Sequence, residues 1–188
     1  MHFSSLITFA LLGAAWAAPS QAITEITEID NGLQQVAPVL AALGDVTAKL
    51  QDLQSALAGI TESSPAATAK AALDAKSKAI EDALDKAAKD TTAAQAIPLT
   101  GALQLQGPSG KLVTATKDVI NALIAKKPII EKAGFKADVK GSLTRQKAKS
   151  DALVKAIQGK LPAAVQSLVA SATKDVGDAL EKGIAAFS

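Results

Sequence analysis

The sequence predicts an all-α fold, a bundle of five amphipathic helices, or six by count, around an interhelical apolar cavity. After position 20, apolar residues recur at intervals of three, four and seven, which places them on one face of a helix. The stretches between them are rich in alanine, the residue with the highest helix propensity. No segment alternates apolar and polar residues with β-branched enrichment, the pattern of a half-buried strand.

The first 17 residues predict a secretory signal peptide. Residues 3–16 form a short apolar run, and Ala15 and Ala17 fit the small-x-small cleavage rule, so we place the cut after Ala17. The run is too short for a transmembrane span, and we predict no transmembrane insertion. We therefore expect one mature domain, residues 18–188.

The first helical stretch, residues 26–60, predicts one long bent helix or two helices that meet near Gly44. Apolar residues keep helical spacing on both sides of Gly44. Pro38 should kink the first part, because it removes a backbone donor and crowds the preceding turn.

The second helix follows a turn rich in Ser and Thr. Ser64 suits its N-cap and Pro65 its first position, and it should reach about Asp90. Residues 91–110 contain prolines and glycines and form the longest connection, with a candidate helical turn over residues 99–105.

Three further helices complete the bundle. Ser109 is a candidate N-cap for the third, which kinks or ends near Pro128 and has its limit at Gly134. Residues 139–161 outline the fourth. After a turn at residues 159–162, the stretch 161–187 carries apolar side chains at intervals of three, four and seven and forms the last.

The composition excludes most catalytic chemistry. The chain has no Cys or Tyr, and its one His, one Trp and one Met all lie in the predicted signal peptide. Without His or Cys there is no His-based acid–base pair, thiol nucleophile or zinc site, so we predict no enzyme, no catalytic residue, no metal and no cofactor. The net charge of +2, without a block of Lys and Arg, argues against nucleic acid as a partner.

Two polar residues interrupt the apolar face of the fourth helix. Its other inward positions are apolar, but Gln146 and Ser150 lie between them. Buried polar groups need partners, so these two either bond to a neighbouring helix or water, or donate hydrogen bonds to the carboxylate of a bound amphiphile. Thr116 takes a similar position on the third helix and is a further head-group candidate.

The scarcity of aromatic residues, 3% of the chain, leaves two interpretations of the core. Either the Ala-rich helices pack closely, or an open volume lined by Leu, Ile and Val remains between them and holds a ligand. A fatty chain of about ten to fifteen methylenes would gain roughly 8–12 kcal/mol before the cost of association. The candidate lining residues for such a tail are Val36, Leu40, Ile80, Leu84, Leu123, Leu143, Leu153, Ile157, Leu168, Val169, Val176 and Leu180.

Several stretches resemble the fungal hydrophobic surface binding protein A family, which includes cell-wall galactomannoproteins. They are NALIAKKPIIEKAG (121–134), QKAKSDALVKAIQGKLPAAVQ (146–166) and ALEKGIAAF (179–187), with ITEIDNGLQQVAPVLAALGD (26–45) similar in style. The resemblance implies a secreted helical domain, either free or associated with the cell wall. Some members adsorb to hydrophobic surfaces and recruit hydrolases, and wall mannoprotein members enclose fatty acids between helices. Gln146 and Ser150 lie within the matching QKAKS, which favours the head-group interpretation.

We therefore predict a secreted fungal protein that binds a long-chain fatty acid or similar amphiphile in an interhelical tunnel. The alternative is a protein that adsorbs to hydrophobic surfaces and recruits a secreted esterase or lipase to an apolar substrate. The two differ in stoichiometry, because a pocket takes about one lipid per chain and gains thermal stability from it, whereas an adsorber forms a layer.

Overall fold

The computed structural model describes the backbone of residues 21–188 and the side chains of residues 32–188 except that of Leu168. The predicted signal peptide lies outside the described residues. Seven helices are present over the described range: α1 (Gln21–Gly59), α2 (Ala66–Ala93), α3 (Leu99–Leu103), α4 (Gln106–Ala125), α5 (Lys127–Lys132), α6 (Lys136–Gln158) and α7 (Ala163–Ala186). Five of them have 20 residues or more, which confirms the predicted five-helix bundle, and the short α3 and α5 lie in its connections.

The five long helices form a closed ring in which each packs against two others. α1 contacts α2 and α4, α2 also contacts α6, and α7 closes the ring between α6 and α4. α3 lies across one end of the ring, against α1 and α7. A ring of this kind encloses one interior, into which all five apolar faces point.

Ion pairs reveal that α2 and α6 run parallel. Glu81 binds Arg145, and Asp85 binds Lys149, and in both pairs the partners are 64 residues apart. A constant difference in residue number means parallel helices, because antiparallel partners would have a constant sum. Both helices therefore end on the same side of the bundle, together with α3 and the first turns of α4 and α7. We call this side the α3 end.

The core is almost entirely aliphatic. Its most deeply buried side chains include Leu53, Leu57, Ile80 and Ile120, and Phe187 adds one of the few aromatic rings. Burial of one such side chain stabilises the fold by roughly 1.5–3 kcal/mol. The core therefore holds the bundle together in a chain without cysteine.

The first helix does not break near Gly44. α1 is one α-helix of 39 residues that continues through both Pro38 and Gly44. A Cβ atom at Gly44 would meet nothing within 4 Å, so this glycine lies on an open face and imposes no bend through packing. Of the two predicted alternatives, the single helix is the one observed.

Both predicted serine caps are wrong. α4 begins at Gln106, so Ser109 lies inside its first turn, where its backbone N–H donates to the carbonyl of Leu105. α2 begins at Ala66, and Ser64 instead accepts a hydrogen bond from the Thr61 N–H at 2.9 Å. The Ser64 hydroxyl thus closes the preceding turn and makes no capping hydrogen bond to α2.

The limit predicted at Gly134 is confirmed, because α5 ends just before it. Gly134 has φ +80°, which a residue with a side chain rarely adopts, and the next N–H, that of Phe135, donates back to the Ile130 carbonyl. This turn redirects the chain into α6. Among the described helices, none combines the length and the apolar content needed to cross a membrane.

Candidate functional site

A half-open cavity of about 290 Å³ lies at the α3 end, between α3, the start of α4 and the first half of α7. We call it the outer cavity. Its walls are mainly small and aliphatic, with a few polar groups. They consist of Ala102, Leu105, Gln106, Ser109, Gly110, Val113, Val165, Val169, Ser171, Ala172 and Asp175.

A smaller cavity of about 40 Å³, the inner cavity, lies between α1, α4, α6 and α7. It shares Ser109, Val113, Val169 and Ala172 with the outer cavity, so the two are neighbours through a common wall. Its remaining lining is Leu43, Leu112, Ser150, Leu153, Val154, Ile157, Thr173 and Val176. Because 40 Å³ exceeds the roughly 10–15 Å³ that a water molecule needs, the side chains leave open space here, and the cavity is half-open because lining residues such as Ser150 and Val154 are partly exposed.

The local sequence explains why the open volume lies here. Ser109 and Val113 of α4 are four residues apart and share one helix face, as do Val169 and Ala172 of α7, three residues apart. Ser109 and Ala172 are small, so their helices leave unfilled space between the larger side chains. The helices thus pack closely at some positions and leave open volume at others, which combines the two interpretations of the core.

Five of the predicted site residues meet at the inner cavity. They are Ser150, Leu153, Ile157, Val169 and Val176, which come from α6 and α7. The polar Ser150 therefore shares one cavity with four of the predicted tail-lining residues.

Gln146 lies elsewhere, although it is only one turn from Ser150. It is 4% exposed and lines a separate void of about 10 Å³ between α1, α2, α4 and α6, together with Leu123 and Leu143. Thr116 is also buried, but its hydroxyl donates to the Leu112 carbonyl at 2.8 Å, and it is not among the residues lining the outer or inner cavity. The head-group role of Gln146 and Thr116 stays a prediction.

The other predicted lining residues are not part of these two cavities. Val36, Ile80, Leu84 and Leu180 are buried in the core, and Leu40 packs against it with partial exposure. The side chain of Leu168 lies outside the described residues. Their contact with a ligand stays a prediction.

Several wall residues were not predicted, above all Leu43, Leu112, Val113 and Ala172. Leu112 and Val113 follow Ser109 on the inward face of α4, which gives a small residue one turn before two apolar ones. Ala172 is a small residue within the apolar stripe of α7. A small side chain on an otherwise bulky inward face was the available signal for the open volume.

The polar groups of the site are mostly uncharged. The exception at the outer cavity is Asp175, whose carboxylate lies 3.5 Å from the Lys117 ammonium. At the inner cavity the Thr173 hydroxyl donates to the Val169 carbonyl at 2.8 Å, so its proton is already engaged. The site can therefore accept an apolar chain with little charge to desolvate.

The chain is similar to known proteins in sequence. A family model described as hydrophobic surface binding protein A matches residues 36–159. Two proteins described as cell wall mannoprotein 1 are similar over the full chain, at 28% identity in Aspergillus flavus and 26% in Aspergillus fumigatus. The chain spans 63% and 60% of their respective lengths.

Solved structures share the fold. Ligand binding domain 1 of the Penicillium marneffei MP1 protein, complexed with arachidonic acids, is 24% identical with a TM-score of 0.76, over 82% of this chain and 99% of that chain. AFMP4P in complex with palmitic acid is 25% identical with a TM-score of 0.76, over 81% and 99%. From the family match and the shared helical architecture, the chain belongs to the hydrophobic surface binding protein A family.

Proposed function

We propose that this protein binds a long-chain fatty acid or a similar amphiphile, with the apolar chain in the outer and inner cavities. The observation that carries the proposal is that two mainly apolar cavities adjoin at Ser109, Val113, Val169 and Ala172, so that a chain bound in the outer cavity would extend toward the inner one. The similar structures with arachidonic and palmitic acid support the same ligand class.

The size of the site fits a chain that enters from the outside. The outer cavity, about 290 Å³, is near the lower end of the roughly 300–1,000 Å³ typical of ligand pockets. The inner cavity is smaller, so a chain that extends into it must separate the side chains of α6 and α7. Each buried methylene would contribute about 0.8 kcal/mol toward that cost.

Ser150 is the head-group donor that we retain in the proposal. Ser150 is one of the residues that line the inner cavity, and a hydrogen bond from its hydroxyl to a carboxylate would be stronger beside the apolar lining than in water. In the opposite orientation the carboxylate would lie at the outer cavity. The polar side chains there belong to Gln106, Ser109 and Ser171. Ser150→Ala and Ser109→Ala distinguish the two orientations, because only the variant that removes the head-group donor should weaken binding.

The proposal describes a binding protein, not an enzyme. It also includes secretion, with association with the cell wall, in line with the description of the Aspergillus relatives as cell wall mannoproteins. Fractionation of the culture into medium, membrane and wall tests the location directly.

The binding proposal is tested by extracting the purified protein with organic solvent, identifying lipids by mass spectrometry and then titrating delipidated protein with palmitic and arachidonic acid. We expect about one ligand per chain and a thermal midpoint that rises with ligand. Absence of both bound lipid and saturable binding would reject the proposal.

A matched pair of variants locates the ligand. Ala172 lines both cavities, whereas Ala170 lies exposed on the same helix. The larger side chain of Ala172→Leu should occupy space where the two cavities adjoin and weaken fatty-acid binding at least tenfold. Ala170→Leu should leave the affinity unchanged. Equal affinity in both variants would place the ligand elsewhere.

Adsorption to hydrophobic surfaces is a second candidate function, favoured by the family's description and by the exposed Leu33, Leu99 and Leu103. An adsorbing protein would coat polystyrene beads as a layer, in an amount set by the surface area. A further part of this second proposal is that the adsorbed protein recruits a secreted hydrolase. It is tested by whether an esterase binds to beads coated with the protein better than to bare beads.

A further inference from the structure

Within residues 32–188, three segments of at least 13 residues contain no charged residue. They are residues 32–44, 91–110 and 161–173, in a chain of which 20% of the residues are charged. The segment 91–110 alone is 20 residues long. At average composition such a segment would contain about four charged residues, so its lack of charge needs an explanation.

The fold brings these segments together at the α3 end. The first lies in the middle of α1, the second runs from the end of α2 through α3 to the start of α4, and the third covers the turn before α7 and the first half of α7. The backbone N–H of Ile97 donates to the carbonyl of Lys160 at 2.8 Å, which ties the second segment to the turn before the third. α3 also packs against α1 beside Gly32.

The exposed leucines lie at the same end. Among the side chains that the structure describes, the exposed large hydrophobic ones are Leu33, Leu99 and Leu103, with exposed fractions of 42%, 52% and 51%. Leu99 and Leu103 are four residues apart and share one face of α3. Leu103 directly follows Ala102, which lines the outer cavity, so the exposed leucines and the outer cavity belong to the same short helix and the same end of the bundle.

We propose that the α3 end is a lipid-contacting surface, through which the fatty acid passes directly between a surface of zwitterionic lipid and the outer cavity. This inference rests on the proposed function for the identity of the ligand. The exposed leucines insert among the lipid chains, and the cavity opening then faces hydrocarbon. The ligand can enter or leave without crossing water.

The lack of charge identifies the kind of lipid surface. A surface that binds anionic lipid carries clustered Lys and Arg, whose attraction weakens in salt. The three segments carry none, and the charged residues that directly follow or precede them are of both signs: Asp45, Asp90, Lys111, Lys160 and Lys174. The segments therefore offer no basic cluster to anionic lipid and have little charge to desolvate on contact with a zwitterionic one. Contact through the leucines should therefore be insensitive to salt.

The test uses vesicles of phosphatidylcholine, with and without phosphatidylserine, and two measurements on the full chain. Flotation with vesicles measures contact without any ligand, and a fluorescent fatty acid reports the rate of transfer from protein to vesicles. Transfer by contact becomes faster with vesicle concentration, whereas transfer through water does not. Titration of the fatty acid in the absence of vesicles measures the proposed function separately.

Two pairs of proteins are compared. Leu99→Ser/Leu103→Ser is compared with the unchanged protein, since neither leucine lines the outer or inner cavity. Gln104→Glu adds one charge at the α3 end. Gln51→Glu adds the same charge at an exposed site on α1, roughly 28 Å along the helix from Gly32.

We expect the leucine variant and Gln104→Glu to reduce flotation about tenfold and to make transfer independent of vesicle concentration, with unchanged affinity for the free fatty acid. Gln51→Glu should behave like the unchanged protein.

Equal flotation of all proteins, or flotation that requires phosphatidylserine and is lost in salt, would overturn the inference. So would sedimentation showing a dimer that the leucine variant dissociates, because the leucines would then be a dimer interface. Flotation that depends on the leucines, in a protein that binds no fatty acid, would support the lipid surface and reject the proposed function.

Discussion

The backbones of α1 and α3 are in contact at Gly32 and Gly101: a Cβ atom on Gly101 would lie 2.8 Å from the Gly32 carbonyl oxygen. We expect Gly101→Ala to reduce the free energy of unfolding by about 1–3 kcal/mol, because the two backbones must separate. Urea denaturation measures the change. Gly177→Ala is the control, since a Cβ there meets nothing within 4 Å, and equal stability of the two variants would contradict the close contact.

Replacement of Gly44 by alanine should have the opposite effect on the free energy of unfolding. Gly44 lies within α1, and a Cβ at this position meets nothing within 4 Å. We expect Gly44→Ala to raise the free energy of unfolding by about 0.5–1 kcal/mol, since alanine favours the helix and restricts the unfolded chain. A lower urea midpoint would indicate that α1 needs flexibility at this position.

Ser150 and Gln146 should differ in their effect on binding. Ser150 lines the inner cavity, whereas Gln146 lines the separate void near Leu123. Loss of one hydrogen bond to a carboxylate predicts about tenfold weaker fatty-acid binding for Ser150→Ala, measured by calorimetric titration. Gln146→Ala should lower stability and leave the affinity unchanged. The reverse result, or a loss of affinity in Ser109→Ala alone, would place the carboxylate in a different position.

Replacement of the buried Thr91 by an apolar residue should stabilise the protein. The Thr91 side chain is fully buried, and within the described part of the chain its hydroxyl group has no hydrogen-bond partner. Thr91→Val keeps the shape and removes the polar group, so the free energy of unfolding should rise by about 1 kcal/mol. Thr92→Val is the control, because the exposed Thr92 hydroxyl donates to the Ala88 carbonyl at 2.7 Å. A destabilised Thr91→Val protein would reveal a partner for the hydroxyl, such as a buried water.

Lys70 links stability to alkaline pH. Its ammonium lies 2.7 Å from an Asp138 oxygen and 2.8 Å from an Asp74 oxygen, and the hydrogen bonds to Asp138 and then Asp74 raise the pKa of Lys70 above 10.5. A raised lysine pKa contributes stability below the unfolded value, and this is lost as pH rises through the folded value. Lys70→Gln should therefore lie below the unchanged protein in urea midpoint at pH 9 and approach it at higher pH. Lys70→Arg stays charged, so its urea midpoint should remain above that of Lys70→Gln at every pH. If the urea midpoints of the unchanged protein and both variants varied with pH in parallel, stability would not depend on the titration of Lys70.

The helices could be predicted because the apolar period of a helix is a local property of the sequence. The limit at Gly134 was predictable for the same reason, since a glycine after an apolar run is typical of a helix end. The caps at Ser64 and Ser109 were wrong because a serine side chain can bond to either side, and the choice depends on turns that propensity does not resolve.

The candidate site was less predictable, because a stripe on one helix gives a direction but not the neighbour that lies there. Gln146 and Ser150 share an inward stripe of α6, yet one turn of separation places them against different voids. The order of helices around the ring decides which void each one meets. That order depends on contacts between distant segments, which no local pattern records.

The 64-residue offset between α2 and α6 also affects how the chain folds. A helix paired with its sequence neighbour can form that contact soon after synthesis, but one face of α2 stays uncovered until α6 has been made. Contacts between such distant segments slow the folding of a helical protein relative to a bundle of simple hairpins. During this interval the α1–α2 hairpin exposes its apolar face, so a nascent chain that stops before α6 is the species most prone to aggregate.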